Sequence, residues 1–387
     1  MFEPHLSRRK LLLLATVPVL ASVLAGCKVI PKGPVAMPPP EVGPSEALPK
    51  DQQRQRIALL VPLSGPQAAW GESIANATTM ALLDTNAKTI RITTYDTAGD
   101  PAAAASRATQ EGNRLILGPL QSDEIPAVAA VARAAKVPLI TYSSDTAMAG
   151  RDVFMLGTST ANAIGRVVGY AHAHGVNRFA LLAPKGSYGT RASVAYAAAV
   201  RAVGGSLVTS QSYDRSNSSI VSAATRLRTH GGYDAVLIAD SGKFAALAAP
   251  QLKMANATAP RILGTELWSG EPILSRTPAL RGAWFAAISD ARFGRFADSY
   301  KSRFGTAPYR LATYGYDSVL LAVRIARDWR YGLPFPTARI TEREGFLGLD
   351  GPFRFSPNGL GERALEVREA RAGGITVVSA APEKFVD

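Results

Sequence analysis

The sequence predicts an α/β fold of two similar lobes, and three observations carry the prediction. From residue 56 onward, short apolar runs alternate with amphipathic, Ala-rich segments, the pattern of parallel strands joined by crossover helices. The alternation is completed once by residue 155 and then restarts, so a second domain of the same kind follows the first. At 387 residues and 47% hydrophobic content, the chain is long enough to bury two cores of ordinary domain size.

The stretch 114–145 shows the unit most clearly. A strand at 115–117 stops at Gly118-Pro119, a helix is expected over 122–135, and 138–141 is a second strand. Apolar strands joined by a helix read as parallel and buried on both faces, and open parallel sheets bind ligands at the carboxyl ends of their strands. Here those ends carry Gln121, Ser122 and Asp123, then Tyr142, Ser143, Ser144 and Asp145. Before this unit the pattern predicts a strand at 56–63, a helix at 68–84, a strand at 90–95 and a helix at 101–111. After it come a strand at 153–156 and helices at 161–174, 190–203, 219–229 and 243–254. These alternate with strands at 178–183, 206–212, 235–239, 262–264 and 283–288. Helices at 291–304 and 314–329, a strand at 351–355 and a hairpin within 363–378 complete the chain.

Residues 1–27 read as a targeting segment: Arg8-Arg9-Lys10 is a charged n-region, 11–24 an apolar h-region, and Leu24-Ala25-Gly26-Cys27 its end. Leu-Ala-Gly-Cys resembles the bacterial lipobox, and Cys27, the only cysteine of the chain, is the expected lipidation site. The adjacent arginines fit a twin-arginine export signal as well as the general pathway, and both routes stay open. Residues 28–55 hold seven prolines and read as an extended tether. Lys28, where a sorting signal would place Asp, resembles the default for the outer membrane, so the expected location is the periplasmic face of the outer membrane, with the inner membrane as alternative.

Several kinds of chemistry are disfavoured. The net charge of +13 comes from scattered Lys and Arg with no basic run and no aromatic interleaving, which argues for a basic surface and against nucleic acid. One cysteine excludes an intramolecular disulfide and a Cys-based metal site. The four histidines have no metal spacing, His172 and His174 being two apart on a helix, so no metal and no cofactor are expected. Ser187 lies in Gly-Ser-Tyr-Gly, which is not a hydrolase elbow, and reads as a helix cap. Asp123-Glu124 sits at a helix start, where carboxylates favour the dipole. The chain is read as a non-enzyme.

The quoted residues also carry a resemblance. Val61-Pro62-Leu63-Ser64-Gly65-Pro66 with Trp70-Gly71, then Tyr95-Asp96-Thr97-Ala98-Gly99-Asp100-Pro101 and Gly118-Pro119-Leu120, resemble the leucine/isoleucine/valine-binding family of type I periplasmic binding proteins. The resemblance implies two Rossmann-like lobes joined by a three-crossing hinge that closes on a ligand. It places lobe 1 at 56–155 plus about 290–347, and lobe 2 at 156–289 plus about 348–387. It also implies an interlobe site that includes Ser64: Trp70 against the ligand side chain, hydroxyls and backbone N–H groups of the loops with Gln121, Ser122, Ser143 and Ser144 at its carboxylate, and from the second lobe Tyr188 and Glu266, the acid accepting from the ammonium group. Such a set suits a zwitterion, whose two charges must each be paired out of water. Asp145 stands where the family has a threonine donor, and a carboxylate there repels a ligand carboxylate. Either the ligand is no ordinary amino acid, or Asp145 points elsewhere, or the cleft holds no solute. Ser144 or Asp145 as a helix-turn cap and Trp70 as core are the plainer readings.

Lipobox, tether and the Val-Pro-Leu-Ser-Gly-Pro and Gly-Pro-Leu stretches are also similar to a lipoprotein branch of this fold, the penicillin-binding protein activators. The expected function is accordingly a non-enzymatic regulator of peptidoglycan synthesis whose partner is a class A penicillin-binding protein. The alternative is the lipid-anchored receptor of an ABC uptake system for an amino acid or similar small polar ligand.

Overall fold

The computed structural model describes residues 53–253 and 259–385; the targeting segment, Cys27 and nearly all of the tether lie outside the described residues. Strands β1 (Gln55–Val61), β2 (Ile90–Asp96), β3 (Ile116–Leu117), β4 (Leu139–Thr141) and β5 (Val153–Met155) form a parallel sheet in the order β2-β1-β3-β4-β5. Helices α1 (Ala68–Asp84), α2 (Pro101–Gln110) and α3 (Ile125–Ala134) supply its first crossovers. In β1, Ile57, Leu59 and Val61 enter one core cluster and Ala58 and Leu60 another. Both faces of the strand are covered, which is why it reads as an unbroken apolar run. The third helix starts at Ile125, not 122, because Pro126 fixes the first helical turn while 122–124 remain a turn.

The second lobe repeats the scheme with β6 (Arg178–Pro184), β7 (Ser206–Tyr213), β8 (Ala235–Ile238), β9 (Arg261–Gly264) and β10 (Trp284–Ala287), parallel in the order β10-β9-β8-β6-β7. Its helices are α4 (Thr160–Ala173), α5 (Ser187–Ala202), α6 (Ser219–His230), α7 (Gly242–Leu252) and the short α8 (Ile273–Arg276). The fifth helix begins at Ser187, capped at Gly186 with no side-chain bond, so Ser187 lies inside the first turn and is not the expected cap. Helices α9 (Phe293–Phe304) and α10 (Ala312–Ala326) return to the first lobe: Phe296 and Tyr300 cluster with Ala77 and Met80 of α1, and Leu321 and Ile325 with Ile57 and Leu59.

The end of the chain departs from expectation. Gly351–Phe355, expected to close the second lobe, is the middle strand (β12) of a separate antiparallel sheet between β11 (Phe346–Gly348) and β13 (Gly361–Arg363). Its Phe353 and Phe355 join the first core, Phe355 meeting Phe154 of β5 edge-on at 5.7 Å. The third crossing therefore falls at 364–365, after which the hairpin β14 (Glu366–Arg371) and β15 (Gly374–Ser379) pairs antiparallel with β10 on the second sheet. The other crossings are 156–159 and 288–292.

Charges bind the crossings together. Arg363, at the third crossing, donates from Nη1 to Asp317 of α10 at 3.0 Å, and both side chains are buried, 2% and 0% exposed. The other Asp317 oxygen accepts from Leu349 N at 2.5 Å, and Gly348 lies so close that a Cβ there would stand 2.5 Å from the carboxylate. Phe353 and Tyr314 flank the guanidinium at 5.0 and 5.7 Å from their ring centres. Nearby, Asp290 of the second crossing pairs with Arg310 at 3.6 Å on the first-lobe side and with Arg368 of β14 at 2.7 Å on the other. Removing one member of a buried ion pair leaves an uncompensated charge, so Arg363→Ala is expected to cost about 3–5 kcal/mol in urea denaturation. Arg363→Met with Asp317→Leu, which buries no charge, is expected to regain most of that loss.

Candidate functional site

The helices of both lobes start where parallel strands end, and the crossings at 156–159 and 288–292 leave β5 and β10 at those same ends. The hinge therefore joins the carboxyl ends of the two sheets, and the loops at those ends border one cleft. Thr160, the first residue beyond the first crossing, donates its hydroxyl to Glu266 Oε1, just after β9, at 2.6 Å.

Both lobes present an aromatic residue at the corresponding corner. Leu59-Leu60-Val61-Pro62 ends β1 and leads to Trp70-Gly71; Leu181-Leu182-Ala183-Pro184 ends β6 and leads to Tyr188-Gly189. A Cβ on Gly71 would stand 1.7 Å from the Pro62 carbonyl oxygen, and one on Gly189 1.7 Å from that of Pro184. Only glycine allows each helix to back onto the strand end, and the preceding aromatic is fixed there. Trp70 is 39% exposed, so it is not core.

On the first lobe, Asp96 at the end of β2 ties the loops together. It accepts from Leu63 N at 2.7 Å, Ala98 N at 2.9 Å and Ser64 Oγ at 2.7 Å. Although desolvation pushes its carboxyl up, these bonds outweigh it and hold the pKa below the usual value. The Ser64 hydroxyl proton is thereby engaged. Ser64, Thr97, Asp123 and Glu124 line a groove of about 700 Å³ with no Lys or Arg in its wall, and one Glu124 oxygen is buried without a hydrogen bond. Ser122 is exposed and Gln121 half-buried. Asp145 Oδ1 accepts from Ala147 N at 3.2 Å, capping the turn Thr146–Met148, while Asp145 N donates to Ser143 Oγ at 3.0 Å. Asp145 is thus a cap, the plainer of the two readings, and Ser143 is engaged by it; Ser144 is exposed and makes no such bond.

The second lobe brings its expected residues together. Tyr188 Oη lies 3.5 Å from Glu266 Oε1 and 3.2 Å from Thr265 Oγ1. Glu266 Oε2 is buried with no hydrogen-bond partner, and desolvation raises the pKa of this carboxyl against the bonds from Thr160 and Tyr188 that favour its ionised form. An oriented anion with a free oxygen can accept from an ammonium group or a hydroxyl. Sequence reasoning missed three residues beside it. Asp240, after β8, is buried and accepts from Arg215 Nε and Nη2 at 2.8 and 3.0 Å, from Ser241 N at 2.8 Å and from the Tyr213 hydroxyl. No hydrogen bond or ion pair joins Trp70, Gln121 or Ser122 to Tyr188 or Glu266 among the described residues.

Two α/β lobes, three crossings and polar loops at a shared edge define a two-lobed binding protein of the type I periplasmic fold. A model of the Periplasmic binding protein family matches residues 54–374, and the chain belongs to that family. Among solved structures it is similar to a Rhodospirillum rubrum protein assigned to a branched-chain amino acid ABC transporter (19% identity, TM-score 0.72, 84% of this chain and 100% of that one). It is also similar to full-length LpoA of Haemophilus influenzae (17%, 0.67, 85% and 59%) and to LivJ of Streptococcus pneumoniae in complex with isoleucine (18%, 0.56, 84% and 100%). At these identities the likeness is one of fold. An uncharacterized protein of Rickettsia prowazekii is 30% identical over 141 residues, 36% of this chain and 38% of that protein. No described helix is long and apolar enough to cross a membrane.

The raised Glu266 pKa has a testable sign. A carboxyl whose folded pKa is raised contributes stability below its ordinary value of 4.5 and loses it as pH rises through the folded value. Glu266→Gln is therefore expected to melt at a higher temperature than wild type at pH 8, the gain disappearing near pH 4, in scans at both pH values.

Proposed function

We propose that the chain is a periplasmic receptor for a small ligand bearing an ammonium group, bound in the interlobe cleft, and that it is not an enzyme. The observation that carries the reading is Glu266 Oε2, buried yet left without a partner beside Tyr188 and Thr160. A buried polar atom with no partner costs free energy, and a fold that keeps one at the cleft supports a ligand that completes it. Asp145, the residue that weighed against an amino acid, turns one carboxylate oxygen to its own turn. Trp70, Ser122, Gln121 and Ser144 remain the proposed contacts from the first lobe, all at least partly exposed.

The second reading, a penicillin-binding protein activator-like regulator anchored through Cys27 to the outer membrane, draws on the lipobox and the Pro-rich tether. The fold likeness to LpoA is compatible with it, although this chain spans 59% of LpoA.

The two readings separate in one set of measurements on residues 53–387. Differential scanning fluorimetry against the common L-amino acids at millimolar concentration is expected to raise Tm by several degrees for at least one of them, with the shift lost in Glu266→Ala. No shift with any of them, together with binding to a class A penicillin-binding protein, would favour the regulator.

A further inference from the structure

A cavity of about 590 Å³ lies at the hinge, with none of the expected cleft residues in its wall. Helix α4, directly after the first crossing, supplies Asn162, Gly165 and Arg166, while β12 and β13, whose partner face packs on the first core, supply Arg354, Gly361 and Glu362. The chain beyond β15 closes it. Arg166 Nη2 donates to Ser379 Oγ at 2.6 Å and to Ala380 O at 3.3 Å, and the chain then returns to the other wall, where the Phe385 ring centre lies 4.4 Å from the Arg354 guanidinium carbon.

Arg166 sets the chemistry of the cavity. It is half-buried, its Nε donates to Leu365 O at 2.8 Å, and every partner it has among the described residues is a carbonyl or a hydroxyl. No carboxylate pairs with it there. Desolvation accordingly holds its pKa below the usual value, and a guanidinium taken out of water without a counter-ion leaves a cost that an anion would remove. The one carboxylate in the described wall, Glu362, is already paired with Arg354 at 2.8 Å. Asn162 Oδ1 accepts from Arg363 N at 3.0 Å, which leaves its Nδ2 as a donor, and Lys384 at the rim adds a second cation. Leu360, Leu365 and Pro382 make the rest of the lining apolar.

We infer that this hinge cavity is a second ligand site, which takes a small organic anion: its carboxylate meets Arg166 and its hydrocarbon part packs on Leu360, Leu365 and Pro382. A planar guanidinium suits a carboxylate, and the apolar lining rewards a hydrocarbon over a hydrated inorganic ion. The occupant would touch both lobes. Asn162 holds the third crossing through Arg363 N, and Thr160, two residues earlier in the same turn, holds Glu266 in the cleft, so one helix end links the cavity to the hinge and to the cleft anion. The site stands apart from the receptor reading and requires no ligand in the cleft.

Isothermal titration calorimetry with hexanoate and benzoate, each beside its primary amide, tests it. Wild type is expected to bind at least one acid roughly ten-fold or more tightly than its amide, the scale of one charge-assisted hydrogen bond. In Arg166→Gln the acid and the amide should bind alike. Because Arg166 also holds Leu365 and Ser379, a second variant guards against a folding defect: a Cβ on Gly165 meets no atom within 4 Å, so Gly165→Leu fills the cavity without a clash. It is expected to keep the wild-type melting temperature or exceed it, and to lose binding of the acid. Hydrogen exchange of wild type at saturating acid should slow in 160–166 and 361–366. Absence of binding by both acids, equal binding of acid and amide by wild type, or binding that Gly165→Leu leaves intact would each overturn the assignment.

Discussion

The buried pair of Arg363 and Asp317 is the constraint that seats the third crossing on the first lobe at the point where the chain leaves it. A guanidinium and a carboxylate removed from water are costly, and their attraction repays the cost only with good geometry and further hydrogen bonds. The fold provides the Leu349 N–H for the carboxylate and two aromatic rings for the guanidinium, yet leaves Arg363 Nε and Nη2 without partners. Such a group tolerates little displacement. It sits where the chain makes its last passage between lobes, and Tyr314, one of its flanking rings, stacks at 6.1 Å on Tyr142, which leads directly into the Ser143 loop. Hinge and cleft floor are therefore parts of one packed unit. Asp290 of the second passage pairs with Arg310 on the first-lobe side and with Arg368 of β14 on the other, but it is 56% exposed and correspondingly screened.

The two walls of the cleft differ in character. On the first lobe the polar groups mostly satisfy one another: Asp96 gathers three donors, and Ser143 and Asp145 close a local turn. On the second lobe, Glu266 keeps an oxygen without a partner while Thr160 and Tyr188 hold the carboxylate in place. Preorganised groups of this sort bind without paying to be ordered first.

Most of the fold was legible because apolar runs and Ala-rich amphipathic segments leave strong periodic signals; α1 was expected at 68–84 and is found at Ala68–Asp84. The third passage was misplaced because Phe353 and Phe355 alternate as any half-buried strand does, and no local signal says which core they enter. Of the candidate site, Tyr188 and Glu266 were expected from the resemblance, and the two side chains lie in contact. Arg215, Tyr213 and Asp240 were not, because their cluster is assembled from the ends of two strands that lie on either side of a third, β6. Asp145 read as an obstacle because its turn hydrogen bond depends on a backbone conformation that residue identity alone does not specify.

The paired corners at Pro62 and Pro184 bear on how such a protein changes over time. In each, the contact that fixes the backbone is made by a glycine and a carbonyl oxygen, neither of which belongs to the neighbouring aromatic side chain. Position and identity are decoupled: Trp70 and Tyr188 can be exchanged for other ring systems, or for aliphatic groups, without altering the main-chain path that presents them. Under the proposed receptor function, single substitutions at these two positions would shift the ligand range while the main-chain path stays as it is.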